Sequence, residues 1–588
     1  MTIPRPLHPT PQWVRTHWLN CNGRWSFETD PGDSGLERGL LDTPLAGEIT
    51  VPFCPESELS GVGNTDFLTA VWYRREITVP TDWPDEGRLL LHFQAIDYDA
   101  TIWIAGREVA RHRGGFTPIT IDLGDRFAPG ETFTVTVRAR DDHRQIKPQG
   151  KQSREYHNHG CHYTRTTGIW QTVWLERTGR SYLDRPVITP DLPNGRFIVQ
   201  APVKGPAAGT AVRVALRDDD GEIVSAGSAA SAMGTLLVLD IPEGRLRAWS
   251  IDDPHLYGLT FQLLDADGTI LDEAESYAGL RSIAIDGKAV LLNGEPVFQR
   301  LVLDQGYYPD GILTAPSDEA LQRDIELSME AGFNGARLHQ KVFEERFLYH
   351  ADRLGYLVWG EFADWHLPKF HDPRPTWITQ WIEAVVRDRN HPSIVGWCPL
   401  NETEQPLIDR IDEHDDVMIG CFHATRAADP TRPILDVSGY CHRVSDADVW
   451  DCHDYTQDAA ELASRHTGLA EDIAWQHGPG QRLWSVPYRG QPFFVSEFGG
   501  IWWNPDAAED EPSWGYGDRP TTEEEFYRRF EALTGVLLAN PGMFGYCYTQ
   551  LTDVYQEQNG IYRFDRSGKL DVDRIRAAQQ RPAAIEKR

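Results

Sequence analysis

In the second half of the chain, short apolar runs end abruptly in an acidic residue. Residues 394–402 are Ile-Val-Gly-Trp-Cys-Pro-Leu-Asn-Glu, and residues 493–497 are Phe-Phe-Val-Ser-Glu. An apolar run of this kind is typical of a strand that is buried on both faces, as in a parallel sheet or barrel. In barrels the functional groups lie at the carboxyl-terminal ends of the strands. We therefore expect Asn401, Glu402 and Glu497 to lie at that edge.

From about residue 285 to the end of the sequence, predicted helices alternate with apolar strands. Ser317 can cap a helix whose Leu321, Ile325 and Met329 share one face, and Gly332 can end it. Residues 285–588 have the length of a (β/α)8 (TIM) barrel, and eight apolar runs supply its strands. These runs are residues 297–303, 333–338, 356–360, 394–400, 433–436, 449–452, 493–495 and 543–548.

The chain before the barrel is dominated by alternation with a period of two. In residues 132–137, Thr-Phe-Thr-Val-Thr-Val, every second residue is apolar, and residues 89–93 and 101–104 form further short strands. Many short strands separated by glycine-containing turns predict a β-sandwich, here a jelly roll over residues 1–178.

A second β block covers residues 179–284. Its predicted strands are residues 211–216, 236–239 and 259–264, and clusters of Asp and Gly separate them. About a hundred residues of this type suggest an immunoglobulin-like β-sandwich. The block carries no cluster of catalytic side chains, so we expect it to space the jelly roll from the barrel.

The composition excludes several classes of partner. The 588 residues carry a net charge of −31, so we expect no nucleic acid and no anionic membrane partner. The amino terminus lacks an apolar signal region, and the eight cysteines form no C-x-x-C pair, which predicts a cytoplasmic protein with reduced thiols. Cys441-His442 and Cys452-His453 have poor spacing for zinc. No metal and no cofactor are predicted, although carboxylate-rich loops leave Mg²⁺ or Na⁺ open, and a homo-oligomer is left open.

Paired carboxylates at strand ends suit the cleavage of a glycosidic bond. Glu402 and Glu497 follow the fourth and seventh predicted strands, so they can face each other across the mouth of a closed barrel. In a retaining mechanism one carboxylate is the nucleophile and the other is first acid and then base, which requires different environments. Arg337, at the end of the second strand, can hold Glu497 ionised, whereas the approach to Glu402 is apolar. Asn401 can donate to the 2-hydroxyl of a sugar.

Several motifs, taken in their order along the chain, resemble glycoside hydrolase family 2. They are residues 18–27, 71–75, 114–118, 167–174, 249–257, 388–402 and 496–499, of which Asp-Arg-Asn-His-Pro-Ser-Ile before Trp and Asn-Glu is the most specific. The resemblance implies a sugar-binding jelly roll, a middle domain and a catalytic barrel. It also implies Glu402 as the acid/base, Glu497 as the nucleophile, Asn401 as the 2-hydroxyl ligand, and Arg337 and His339 as second-strand site residues.

The chain departs from the family pattern before the Asn-Glu pair, where Trp397-Cys-Pro-Leu replaces the usual Trp-Ser-x-Gly. A thiol nucleophile at Cys398 is the competing interpretation, but no accompanying His and Asn are visible. Asp97 is either a turn residue or part of a loop that reaches the site. Tyr546 and Tyr548 stand where the family often has a tryptophan floor. Other residues that could bind the sugar, or only pack, are Asp304, Glu361, Trp365, His453, Tyr455 and Gln550.

Together these features predict a retaining exo-β-glycosidase that acts on a terminal β-linked sugar, with β-galactosidase as the leading specificity. β-Glucuronidase, β-mannosidase and furanosidases are alternatives within the family. The absence of an Asn-x-Lys pair after the eighth strand argues against glucuronides. Two alternatives are not retaining glycosidases: an inverting hydrolase and a non-catalytic carbohydrate-binding protein. A binding protein would not need a second carboxylate at a strand end, so Glu497 argues against it.

Overall fold

The alternating strands of the first third form two antiparallel sheets in the computed structural model, which describes residues 3–231, 234–365, 375–476, 484–506 and 512–587. The smaller sheet orders Trp18–Asn20, Val173–Thr178, Arg88–Phe93 and Ile119–Gly124. The larger sheet orders Gly47–Val51, Gly23–Thr29, Ala70–Thr78, Thr132–Arg140, Asp99–Ile104 and Arg107–Arg113, and Ile96–Asp97 pairs with Gly168–Ile169. Both sheets contribute to one apolar core that includes Phe133, Val135 and Val137, so the predicted sandwich is confirmed.

The middle β block is a second, smaller sandwich. Its sheets order Val187–Asp191, Arg196–Ala201 and Thr235–Asp240, and Gly221–Ala229, Ala211–Asp218, Tyr257–Leu264 and Ile270–Ala278, with Tyr182–Leu183 paired to Val203–Lys204. Apolar side chains from both sheets share one core. Three short strands then lead into the barrel: Ile283–Asp286, Ala289–Leu292 and Glu295–Pro296.

Seven parallel strands form the barrel sheet. In spatial order they are Ile394–Cys398, Leu357–Glu361, Gly335–Leu338, Gln299–Asp304, Met543–Thr549, Phe493–Gly499 and Trp450–Asp454. The α-helices are Asp318–Glu330, Glu345–Leu354, Thr376–Asp388, Glu413–Ala428, Ala459–His466, Glu523–Ala539 and Val572–Gln579. Short 3-10 turns are Glu58–Ser60, Leu192–Asn194, Glu243–Arg245, Thr467–Glu471 and Ala584–Lys587.

The predicted fifth strand is not a regular strand. It joins the fourth strand only through isolated parallel bridges, Trp397 with Ile434 and Asn401 with Ser438. Pro433 has no N–H to donate to a ladder. The side chain of Asp436 accepts hydrogen bonds from the backbone N–H groups of Arg443 and Val444. The barrel therefore contains an irregular segment directly beside Glu402.

The first barrel helix begins as the sequence predicts. The Ser317 side chain accepts a hydrogen bond from the Ala320 N–H at 3.2 Å, and Gly332 follows the helix with a φ of 90°. Leu321 and Ile325 are buried, but Met329 is exposed, since the last turn buries Leu327 and Ser328 instead. No helix in the described part of the chain is long and apolar enough to span a membrane.

A loop of the first domain, residues 147–165, lies on the barrel mouth. The Gly150 N–H donates to the Ala363 carbonyl at 3.0 Å. At the other end of the loop, Trp514 and Gln556 of the barrel both donate to the Gly160 carbonyl. The jelly roll thus forms part of the wall around the carboxyl-terminal ends of the strands.

Candidate active site

Glu402 and Glu497 meet at the barrel mouth. Glu497 lies on the strand Phe493–Gly499, and Glu402 follows the strand Ile394–Cys398 with a φ of 54°. One carboxylate oxygen of each residue and a ring nitrogen of His453 all lie within 4.8 Å of one another. Carboxyl groups about 5 Å apart suit a retaining reaction, because an inverting pair must leave room for a water.

Glu497 is surrounded by donors. Arg337 Nη1 lies 3.3 Å from its Oε1, and the Tyr455 hydroxyl donates to its Oε2. The Tyr455 ring is stacked flat on Tyr516, with centroids 3.4 Å apart. Donors that favour the ionised form of a carboxyl group suit a nucleophile.

Glu402 has a different set of contacts. Its Oε1 lies 2.7 Å from His453 Nδ1, and its backbone N–H donates to the Ser438 carbonyl at 2.8 Å. Burial opposes ionisation, but bonds from His453 and Tyr440 lower the pKa of Glu402 below its ordinary value. Burial also opposes the charged form of His453, but the two carboxylates Glu497 and Glu402 outweigh it and raise the pKa of His453 above its ordinary value.

The apolar residues before Glu402, which the sequence suggested as its environment, do not set the pKa of this carboxyl group. Trp397, Cys398 and Leu400 are buried in the barrel core. In the free enzyme His453 competes for the proton that an acid catalyst must hold. Glu402 and His453 are therefore a coupled pair.

Arg337 links the two carboxylates to a buried network. Its guanidinium donates to Glu361 and to the Ser496 carbonyl, and its Nη2 lies 3.1 Å from Asn401 Oδ1. Because its oxygen is occupied in this way, the Asn401 amide points its Nδ2 elsewhere. That nitrogen is buried and has no hydrogen-bond partner among the described residues. It is available to a sugar hydroxyl.

His339 and Glu361 support this network from below. His339 Nδ1 lies 3.2 Å from Glu361 Oε2 and 3.9 Å from Glu497 Oε1. Burial holds the pKa of His339 well below its ordinary value, and burial raises the pKa of Glu361 despite Arg337. Both residues contact the arginine network.

The remaining predicted site residues differ in position. Trp365 is half-buried and lies 6.3 Å from His339, ring centroid to ring centroid. Gln550 is buried and accepts from Gln305 Nε2 at 2.6 Å. Asp304 is buried at the end of its strand, and its Oδ1 accepts from the Gly306 N–H at 2.8 Å. The expectation that Asp304 binds the sugar stays a prediction.

The structure also bears on the competing thiol interpretation and on the position where the family often has a tryptophan. Burial raises the pKa of the Cys398 thiol well above its ordinary value, which disfavours a thiolate nucleophile. Tyr546 and Tyr548 are fully buried, and their rings pack on Phe498, so neither forms a floor of the site. Successive strand residues alternate sides, and Thr549 instead contacts the Tyr455 hydroxyl at 3.0 Å.

A ring of hydrogen bonds at one side of the mouth was missed in the sequence. The Tyr163 hydroxyl, from the first domain, donates to Glu557 and accepts from Gln305 Nε2. Asn559 Nδ2 donates to Glu557 Oε1 at 3.2 Å, and Gln550 Nε2 donates to Asn559 Oδ1 at 2.7 Å. Glu557 and Asn559 lie in the segment after the eighth strand, where a sequence signal could have been sought.

Lys151 is the other residue that the sequence did not reveal. It comes from the 147–165 loop and is 5% exposed. Its Nζ lies 4.9 Å from the centroid of the Trp365 ring. Burial opposes its charge, but Glu557, Glu497 and Glu402 raise the pKa of Lys151 above its ordinary value. No strand, motif or periodicity marks this lysine, because only the docking of two domains brings it to the barrel.

Three family models match successive parts of the chain. "Glycosyl hydrolases family 2, sugar binding domain" matches residues 18–178, "Glycosyl hydrolases family 2" matches residues 181–281, and "Glycosyl hydrolases family 2, TIM barrel domain" matches residues 315–469. Their order agrees with the two sandwiches and the barrel.

Curated relatives carry two activity names. A β-glucuronidase of Paenibacillus borealis is 27% identical over 71% of this chain and 72% of its own length. A β-galactosidase of Thermoanaerobacter pseudethanolicus is 25% identical over 60% of this chain and 46% of its own length. The solved structure of Ruminococcus gnavus β-glucuronidase superposes with a TM-score of 0.78 at 18% identity, covering 99% of both chains, which shows a shared fold.

Proposed function

The chain belongs to glycosyl hydrolase family 2 and is a glycoside hydrolase, and from this we propose a retaining, exo-acting reaction on β-linked sugars. Glu497 is the nucleophile and Glu402 is the general acid and base. The observation that carries the proposal is the placement of their carboxylate oxygens within 4.8 Å of each other. Arg337 and Tyr455 bind one of the pair, whereas His453 and Tyr440 bind the other.

The two half-reactions use these contacts differently. Glu497 attacks the anomeric carbon while the proton of Glu402 passes to the leaving oxygen, which forms a glycosyl-enzyme ester. Glu402 then takes a proton from a water that attacks the same carbon and releases Glu497. The unpartnered Nδ2 of Asn401 is placed to bind the 2-hydroxyl, a contact that strengthens as positive charge develops on the ring.

For the sugar, we propose a β-glucuronide in place of the β-galactoside that the sequence favoured. Several curated relatives matched over about seven-tenths of this chain are named β-glucuronidases, whereas those named β-galactosidases match less than half of their own length. The sequence argument against glucuronides was the missing lysine after the eighth strand. The buried ammonium of Lys151 supplies a positive charge at that side of the site.

Chemical rescue tests the two catalytic roles. Glu497→Ala and Glu402→Ala should each lower kcat by about four orders of magnitude with an unactivated leaving group. With azide, the Glu402→Ala variant should release a β-glycosyl azide, because azide replaces water in the second step. The Glu497→Ala variant should release the α-azide, because azide attacks the sugar directly.

The anomeric configuration of each azide is measured by NMR. An exposed carboxylate far from the site, Glu330→Ala, serves as the control and should keep wild-type activity. If the two variants gave the opposite anomers, the roles would be exchanged. If wild type released the inverted sugar, the retaining reaction would be wrong.

A panel of nitrophenyl glycosides tests the sugar. We expect the β-D-glucuronide to give the highest kcat/KM, ahead of the β-D-galactoside, β-D-glucoside, β-D-mannoside and α-L-arabinofuranoside. A higher value on a neutral β-pyranoside would refute the glucuronide and leave the catalytic pair untouched. Activity on furanosides alone would refute both sugar assignments.

A further inference from the structure

Lys151 is a buried cation without an ion pair in the described part of the chain. Only 5% of the surface of Lys151 is exposed to solvent. Among the described residues it makes neither a hydrogen bond through its ammonium nor an ion pair within 4.0 Å. The buried Arg337 differs in this respect, since it pairs with both Glu361 and Glu497. A buried charge without hydrogen bonds is costly, which implies that something else pairs with it.

The backbone around Lys151 is held in place from both domains. Its carbonyl accepts from the Tyr163 N–H at 2.8 Å, and the neighbouring Gly150 N–H donates to Ala363 of the barrel. A Cβ on Gly150 would lie 2.2 Å from the Gln340 carbonyl oxygen. On the other side, the side-chain amide of Gln152 donates to the Asp97 carboxylate at 2.8 Å. These contacts hold the backbone from which the Lys151 side chain extends, and a recognition group requires such support.

The ammonium lies in the field of the catalytic centre. The carboxylates that raise its pKa include the catalytic pair and Glu557, which ends the hydrogen-bond ring with Tyr163. Trp365 lies under the ammonium and closes one side with an aromatic face. Glu557 already accepts bonds from Tyr163 and Asn559. The ammonium of Lys151 therefore lies near the catalytic carboxylates, and among the described residues its donors have no protein acceptor.

We propose that Lys151 binds the carboxylate of the uronide, so that the first domain supplies the specificity residue of the barrel active site. This inference rests on the glucuronide proposed above. It also explains how a uronide could bind although residues 557–559, Glu-Gln-Asn, contain no lysine after the eighth strand. Lys151 would bind the uronide carboxylate in place of a lysine after the eighth strand, but it belongs to the first domain.

The reason that a carboxylate fits better than a hydroxyl is electrostatic. An ammonium in a water-poor site gains far more from an ionised oxygen than from a neutral one. A hydroxymethyl group at the same position would leave the lysine with neutral partners only. Lys151 should therefore distinguish a uronic acid from the corresponding hexose.

The test compares two substrates that differ only at that group, 4-nitrophenyl β-D-glucuronide and 4-nitrophenyl β-D-glucoside. Lys151→Met keeps the length of the side chain and removes its charge. On the glucuronide we expect kcat/KM to fall about 100-fold, chiefly through KM, because the carboxylate is bound in both ground and transition states. On the glucoside the change should be small. Lys151→Arg should recover part of the glucuronide activity.

Binding of the free sugars gives a second measurement that does not depend on turnover. By calorimetry, wild type should bind D-glucuronate more tightly than D-glucose, and Lys151→Met should lose this difference while its melting temperature shows a folded protein. An equal loss on both substrates, or an unchanged preference for the glucuronide, would refute the role of Lys151 alone. If wild type cleaves glucosides or galactosides but no glucuronide, the proposed sugar itself is wrong.

Discussion

At the scale of single residues, His453 governs where the catalytic proton resides. It lies 2.7 Å from Glu402 and 3.4 Å from Glu497. With one proton shared between His453 and Glu402, only the fraction carried by Glu402 can protonate a leaving group. The apparent pKa at which this shared proton is lost therefore belongs to the pair and not to either residue alone.

Replacing His453 by Asn should narrow the pH profile of kcat/KM. In wild type the basic limb follows a pair that includes the raised pKa of His453, so the proton is retained to higher pH. In the variant Glu402 holds its proton alone, and the basic limb should move to lower pH by about one unit. The profile is measured on the glucuronide across the range in which the enzyme stays folded.

His339→Asn is the matched control for this shift. Burial holds the pKa of His339 far below its ordinary value, so it does not gain a proton in the working range. Its replacement can lower activity but should not move the basic limb. A limb that stayed in place in His453→Asn, or that moved equally in both variants, would contradict the shared proton.

At the scale of elements, the 147–165 loop is an irregular segment that is attached to the barrel at two points. It is attached to the barrel at Gly150 and Gly160, and both glycines have positive φ values, 61° and 50°. Their surroundings differ, because a Cβ on Gly150 meets the Gln340 carbonyl whereas a Cβ on Gly160 meets nothing within 4 Å. The two positions therefore separate a steric effect from a backbone effect.

Gly150→Ala should displace the loop and with it Lys151. We expect kcat/KM on the glucuronide to fall at least tenfold, with a loss of stability of about 1–3 kcal/mol from the clash. Gly160→Ala carries only the left-handed backbone penalty of about 1 kcal/mol and should keep most of the activity. Kinetics and thermal unfolding of both variants check this, and equal effects would argue against the tight contact at Gly150.

At the scale of the whole molecule, a buried ionic cluster joins the amino-terminal segment to both sandwiches. Arg15 contacts Glu176 at 3.1 Å and Asp272 at 3.0 Å, and all three side chains are nearly inaccessible. Burial alone would raise the pKa of Glu176, but Arg15 and His92 bring it down to about 2. This cluster helps to fix the first domain, whose loop completes the active site.

Arg15→Met should destabilise the protein by about 3–5 kcal/mol near neutral pH, since it leaves two buried carboxylates without their cation. Because the folded pKa of Glu176 is depressed, its contribution is present above about pH 4.5 and is lost as the pH falls toward 2. The variant should therefore lose less stability than wild type across that acid range.

Thermal or denaturant unfolding as a function of pH measures this difference. The control is Arg24→Met, which removes one partner of an exposed pair with Glu48 and should cost less than about 1 kcal/mol. A similar loss in both variants at neutral pH would show that the Arg15 cluster contributes no more than a surface pair.

The sequence by itself determined the elements and the chemistry that strands present at their ends. Apolar runs and alternation are local consequences of burial, so the two sandwiches, seven of the eight barrel strands and the Ser317 cap could be predicted. The placement of Glu402, Glu497 and Arg337 at one edge could be predicted in the same way. The family motifs then agreed with the matched family models.

Only the tertiary structure decided which groups from distant segments meet. Lys151 and Tyr163 carry no pattern, because their positions depend on how one domain docks on another. The lowered pKa of Glu402 also escaped the sequence, since it arises from His453 on a different strand and not from the apolar neighbours of Glu402. The pattern of apolar residues along the chain indicates which residues are buried. The pKa values of the site, its ion pairs and its recognition of a sugar depend on contacts between residues far apart in sequence.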